Sequence, residues 1–184
     1  MPVSKPLSGQ RSCSATMDLI LRPPRIEDEA AVRLLHEQLA VEGFAFLPAD
    51  GSWEHILSVI EAEAAGINLP PGRVPADFLV AEIDGQIIGR VSIRHRLTDI
   101  LFEVGGHIGY AVGPQFRRRG YATQILRQAV QRLTALGVHH ILVICDADNM
   151  ASAGVIEKCG GVLEPETPES DTAIKRYWIR QKTG

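Results

Sequence analysis

The sequence predicts one mixed α/β domain, a central sheet of about six to seven strands with helices on both faces. Three observations carry this expectation: a hairpin around Asp84-Gly85, a strand–helix–strand run over residues 107–146, and two amphipathic stretches before residue 66. Residues 18–22 form a short apolar stretch that meets Pro23 and Pro24, which suits a strand stopping before a helix. That helix is expected over residues 26–41, with Ala30, Leu34, Leu35 and Leu39 recurring at helical spacing as its inward face. A second helix is expected over 52–65, with Ser52 as its N-cap, Ile56, Val59 and Ile60 as its buried stripe, and Gly66 at its exit. The cluster Pro70, Pro71, Gly72 and Pro75 reads as a loop.

Residues 78–83 and 86–94 read as strands joined at Asp84-Gly85, a pair that tolerates the positive φ angles of a tight turn. A further strand over 107–112 follows the Gly105-Gly106 break, and a long helix over 119–136 ends at Gly137. The strand over 140–146 is almost wholly apolar and β-branched, which implies burial on both faces and a parallel crossover from the strand at 107–112. A helix over 151–158, stopped by Gly160-Gly161, precedes strands near 162–163 and 174–179.

Composition narrows the possible functions. At 184 residues and 45% hydrophobic content, one well-buried domain over 17–184 is the default. Residues 1–16, rich in Ser, Pro and basic side chains without an apolar signal core, read as a disordered lead, with a mitochondrial transit peptide as the other reading. A formal net charge of −3 gives no broad reason to expect a nucleic-acid partner. Cys13, Cys145 and Cys159 are too few and too irregular for a disulfide framework or a paired zinc site, which points to a reducing, cytoplasmic setting. Apolar runs such as 141–145 fall well short of the roughly 20 residues of a membrane helix, so no membrane span is expected. No metal is expected either, because His139 and His140 would point to opposite faces of a strand. Cys145, inside an apolar strand, reads as core.

The informative segment is Gly109-Tyr-Ala-Val-Gly-Pro-Gln-Phe-Arg-Arg-Arg-Gly-Tyr-Ala-Thr123: a strand, a turn, three arginines and a glycine that opens a helix. The first amides of a helix lack internal partners and, with the helix dipole, form a site for an anion such as phosphate. Glycine at 120 lets that anion approach the backbone, and Arg117, Arg118 and Arg119 add positive charge. The segment lacks the Gly-Lys-Ser/Thr of a P-loop and the three-glycine spacing of a dinucleotide fold, so ATP and NAD fit poorly. An arginine run can also be only a solvated face, or part of a phosphate- or RNA-binding scaffold.

Arg117-Arg-Arg-Gly120-Tyr-Ala122 resembles the Arg/Gln-x-x-Gly-x-Gly/Ala signature of the GNAT superfamily of N-acetyltransferases. The resemblance continues through Asp148-Asn-Met-Ala-Ser-Ala-Gly-Val-Ile-Glu-Lys-Cys-Gly-Gly161, which is similar to the family's Asn-x-x-Ser and Glu-Lys-x-Gly helix after the fifth strand. Element order over residues 18–180 is similar as well. The Gly-Gly-His-Ile-Gly-Tyr strand and the Lys175-Arg-Tyr-Trp-Ile179 ending resemble a bacterial branch of the superfamily.

This resemblance implies a GNAT fold in which the fourth and fifth strands, ending near Val112 and Asp146, splay apart to admit coenzyme A. It implies that amides across Arg117, Arg118, Arg119, Gly120, Tyr121, Ala122 and Thr123 hold the pyrophosphate of acetyl-CoA. Ala111 and Val112 would pair with the pantetheine arm as strand addition, and Asn149 and Ser152 would sit beside the cofactor. On physical grounds alone, Asn149 and Ser152 fit helix capping equally well.

The implied activity is acyl transfer from acetyl-CoA to a primary amine by direct attack, with a noncatalytic acyl-CoA-binding module as the alternative. Attack needs a base and an acid. The family's usual acid, a tyrosine before Glu-Lys-x-Gly, is replaced by Ile156, so Tyr121, Tyr177 or water must serve. Glu103 and His107, just before or at the start of the strand that borders the family's reaction centre, are the candidate bases; read blandly, Glu103 is an exposed loop carboxylate and His107 a strand-edge histidine satisfied by backbone. The acceptor, a small-molecule or peptide amine, would be chosen between residues 26 and 75, and the C-terminal strand is where a homodimer would form. The sequence decides neither.

Overall fold

The computed structural model describes residues 18–165 and 173–181. The lead expected over 1–16, with Cys13, lies outside them. The elements in chain order are β1 (Ile20–Arg22), α1 (Glu29–Ala40), α2 (Trp53–Ala65), β2 (Ala76–Ile83), β3 (Gln86–Arg94), β4 (Ile108–Val112), α3 (Tyr121–Ala135), β5 (His140–Asp146), α4 (Met150–Lys158), β6 (Gly161–Leu163) and β7 (Ile174–Arg180). A 3-10 turn, Ile26–Asp28, leads into α1, and a π-helical turn, Leu101–Gly105, precedes β4.

The strands form two antiparallel sheets, ordered β1-β2-β3-β4 and β5-β7-β6. Side chains alternate across β2, so Phe78 and Val80 pack with α1 and α2 while Leu79 and Ala81 pack with α3 on the opposite face. The expected hairpin is present, with Asp84 and Gly85 both at positive φ. Ser52 caps α2 by accepting the His55 N–H at 3.2 Å, and Gly66 exits it in the left-handed conformation.

Two expectations change. The inward face of α1 is Val32, Leu35 and Leu39, whereas Leu34 is 52% exposed and Ala30 faces outward. Both stripes satisfy helical spacing, so the pattern alone does not choose between them. β5 is buried as expected, but no parallel ladder joins it to β4 among the described residues. β7 lies between β5 and β6, paired with β5 along its whole length and with β6 over residues 177–179.

Candidate active site

β4 and β5 meet at one point and part beyond it. The His107 N–H donates to Leu142 O at 2.7 Å, and the Leu142 N–H donates to His107 Nδ1 at 3.0 Å. One residue thus satisfies both backbone groups of Leu142, the second through its imidazole. Gly106 makes this approach possible, since a Cβ there would stand 2.8 Å from Leu142 O. Burial pushes the His107 pKa down to about 4, so the ring is neutral and Nδ1 remains an acceptor at neutral pH.

Beyond this junction the strands enclose a cavity of about 690 Å³. Its β4 wall is Tyr110, Ala111 and Val112, and its opposite wall is Asp146, Asn149, Ser152, Val155 and Lys158. The start of α3, with Arg118, Gly120, Tyr121, Ala122 and Thr123, closes one end, and Leu39, Glu42 and Phe44 border the α1 side.

The register of β3 with β4 decides which backbone groups face this space. Arg94 N–H donates to His107 O at 2.8 Å and Gly113 N–H to Ile88 O at 2.9 Å, so the directly bonded pairs between them are Ser92 with Gly109 and Arg90 with Ala111. The amides of Ile108, Tyr110 and Val112 therefore turn away from β3, toward the cavity. The Ala111 backbone, expected to pair with a ligand, is directed at β3, and Ala111 lines the cavity with its side chain, while the Tyr110 and Val112 amides are the ones that face it.

At the head of α3, Gly120 has φ +81°, and a Cβ built on it would meet nothing within 4 Å. The site therefore has room for a ligand against the backbone. The first helical bond accepted there is from Gln124 N–H to Gly120 O, which leaves the Tyr121, Ala122 and Thr123 amides without helical partners. Arg118 holds φ +64°, a conformation that costs a residue with a side chain about 1 kcal/mol or more.

The three arginines separate. Arg117 Nη1 and Nη2 grip the Glu42 carboxylate at 3.0 and 2.6 Å while its Nε donates to Val112 O at 3.1 Å. The Arg117 guanidinium holds the Glu42 pKa below the usual carboxylate range. Arg117 and Arg118 both line the cavity, and Arg119 is exposed outside it.

Asn149 caps α4 by accepting the Ser152 N–H at 3.0 Å, and Ser152 Oγ lies 2.9 Å from the Tyr110 hydroxyl. Both residues line the cavity, so the capping and ligand-side readings coexist. Burial pushes the Tyr110 phenol up to about 12, and its bond with Ser152 works in the opposite direction. Ile156 is fully buried in the core. Tyr177 is buried as well, its hydroxyl donating to Glu157 at 3.2 Å, whereas Tyr121 lines the cavity.

Neither candidate base lines the cavity. The Glu103 side chain is exposed on the π-helical turn, whose carbonyls at Phe102 and Glu103 accept from Arg176. His107 is buried and already bonded. Sequence reasoning missed Tyr110 and Glu42. Alternation along the Gly109-Tyr-Ala-Val strand could have revealed Tyr110, but nothing local signals Glu42, which meets Arg117 across 75 positions. Among the described residues, no group of three His, Cys, Asp or Glu side chains could hold a metal ion.

The two sheets that part around this cavity define the fold of an acyltransferase. Known proteins agree. The family model for the acetyltransferase (GNAT) domain matches residues 18–162. An acetyltransferase of Yersinia enterocolitica is 32% identical over 136 residues, covering 71% of this chain and 87% of that protein. The acetyltransferase yncA of Salmonella typhimurium, solved with its cofactor acetyl-CoA, superposes with a TM-score of 0.61 at 16% identity, covering 88% of this chain and 93% of that one. A Vibrio cholerae protein described as a ribosomal-protein-serine acetyltransferase has a TM-score of 0.65 at 15% identity, covering 90% and 95%. This chain belongs to the GNAT acetyltransferase family and is an N-acetyltransferase.

Proposed function

We propose that the chain transfers an acetyl group from acetyl-CoA to a primary amine by direct attack within a ternary complex. The observation that carries this reading is the gap between β4 and β5, with the unpartnered amides of Tyr121, Ala122 and Thr123 at one end and the Tyr110 amide on its wall. The helix amides would take the diphosphate of the cosubstrate, with Arg118 beside it. The pantetheine arm would run along β4, so that its thioester reaches the closed end near Gly109 and Tyr110. The related yncA carries acetyl-CoA as its cofactor, which supports this choice of cosubstrate.

The amine nitrogen attacks the thioester carbon, and the coenzyme thiolate leaves. Tyr110, kept protonated by burial, donates a hydrogen bond to the departing sulfur in place of the missing tyrosine at Ile156. Glu103 stands outside the cavity with its carboxylate in solvent just before β4, so the amine proton would reach it only through water, and His107 belongs to the framework. The acceptor, a small molecule or a peptide amine, enters from the α1 side past Phe44. The reaction is cytoplasmic. No helix among the described residues is long and apolar enough to cross a membrane.

The test is release of free coenzyme thiol from acetyl-CoA across a panel of amines, beside binding measured with Gly120→Glu. The reading requires turnover with at least one amine class and loss of binding in the variant, because a carboxylate would fill the diphosphate site. Unchanged affinity in Gly120→Glu would overturn the site. Tight acetyl-CoA binding with no turnover on any amine would overturn direct transfer to an amine.

A further inference from the structure

Arg90 stands in the middle of β3, on the face covered by α1 and α2, and is 9% exposed. Its Nη1 donates to Gly109 O at 3.2 Å and its Nη2 to Ala45 O at 2.8 Å, while Nε has no partner. The rings of Phe44, Phe46 and Phe78 lie 4.7, 5.8 and 5.5 Å from its guanidinium carbon. No ion pair reaches it among the described residues. Burial, aided by Arg94, lowers its pKa to about 10, which leaves it charged at neutral pH. A buried cation offset only by carbonyls and ring faces is costly for a fold, and packing alone does not call for one.

Its location suggests a use. The Gly109 carbonyl and the Tyr110 N–H belong to one planar peptide and point in opposite directions. The carbonyl faces β3 and receives Arg90, and the N–H faces the cavity. A cation that donates into the carbonyl polarises the peptide and makes its N–H a stronger donor. Phe44, which stacks on Arg90 and also lines the cavity, keeps water from the guanidinium, so its field is weakly screened.

We infer that Arg90 is a positioning residue for acetyl transfer: through the Gly109 carbonyl it strengthens the Tyr110 N–H as the donor to the oxyanion formed on the thioester. The inference rests on the acetyl-CoA reading above. In that step the amine nitrogen bonds to the carbonyl carbon and the C=O electron pair moves onto oxygen. That pair returns to carbon as the C–S bond breaks and its electrons leave with the coenzyme thiolate. Negative charge exists on oxygen only in between, and a donor aimed there in advance stabilises the transition state more than the bound substrate.

The experiment binds acetyl-CoA carrying a ¹³C label at the thioester carbonyl, without acceptor, and records the infrared carbonyl stretch in the native protein, Arg90→Met and Arg90→Lys. The native protein is expected to shift the stretch below its value in free acetyl-CoA. Arg90→Met should return it toward that value, with acetyl-CoA affinity and acceptor KM changed by less than about threefold and kcat lowered about tenfold to a hundredfold. Arg90→Lys retains the charge without the fork and should fall between, which also keeps the test open if Arg90→Met does not fold. Equal stretch frequencies in native and variant proteins that both bind acetyl-CoA would overturn the inference. A raised acceptor KM with kcat unchanged would also overturn it, making Arg90 an acceptor anchor. Failure of the native protein to bind acetyl-CoA would instead remove the reading on which the inference stands.

Discussion

Arg22 on β1 and Arg90 on β3 both carry charge into the same four-stranded sheet, and their surroundings differ. Arg22 lies between two carboxylates: its Nη1 and Nη2 hold Asp28 at 2.6 and 2.9 Å, and its Nε holds Glu82 at 2.5 Å. Asp28 also accepts the Arg25 N–H at 2.7 Å, so the cluster ties the 3-10 turn ahead of α1 to β1 and β2. Arg90 meets only carbonyls and aromatic rings. Where charge is cancelled on the spot, it serves the fold. Where it is left uncancelled beside a strand that walls the cavity, it is available to a ligand.

The largest expected effect breaks the first half of this comparison. Asp28→Ala leaves Arg22 buried with half its partners and should destabilise the chain by about 3 kcal/mol, lowering the melting temperature by roughly 10 °C in a thermal scan. Turnover measured well below the melting temperature should stay near native. In Arg90→Met the signs reverse, with stability kept and turnover reduced.

A second, smaller effect concerns the junction of the two sheets. His107→Ala strands the Leu142 N–H and should cost about 2 kcal/mol, whereas His107→Asn should recover most of it because Asn Oδ1 hangs from Cγ as His Nδ1 does. Turnover should follow the same order. A catalytic base would instead be lost equally in both variants. The native junction is also acid-sensitive. Between the ordinary value of 6.5 and the folded value of about 4, the unfolded chain binds the His107 proton first, so stability falls as pH drops through that window. Urea titrations at a series of pH values should show a shallower fall in His107→Asn.

Third, Tyr110→Phe keeps the amide and removes the phenol, so kcat should fall about tenfold with the shifted thioester stretch retained. Retention separates the phenol from the peptide that Arg90 polarises. Smallest of all, Glu42→Gln loosens an exposed pair and should change stability by less than about 1 kcal/mol. By freeing Arg117, it should tighten acetyl-CoA binding about two- to fivefold in a fluorescence titration.

The sequence revealed much of this through local chemistry. Asp84-Gly85, the Ser52 cap, Gly66 and Gly120 each act over a few residues, and each stands where its chemistry demanded. What stayed hidden depends on distant partners or on helix rotation. His107 reads as a base until Leu142, 35 positions away, is seen to occupy its Nδ1. The three arginines read as one phosphate patch, yet only two line the cavity, the first of them paired with Glu42, and the last lies outside it. The stripe on α1 moved from Leu34 to Val32 because spacing alone permits both. Arg90 did leave a trace, a charge at the centre of an inner strand between Gly89 and Val91. That pattern demands a partner, and only the structure shows that the partner is a peptide facing the cavity.

The central claim is that acetyl-CoA lies between β4 and β5 with its diphosphate at the head of α3. Amide hydrogen exchange, followed by mass spectrometry with and without acetyl-CoA, tests it directly. The account predicts slowed exchange at Tyr110 and across residues 120–123, with β2 unaffected. Protection confined to another surface, with Tyr110 and the helix start exchanging as before, would contradict it.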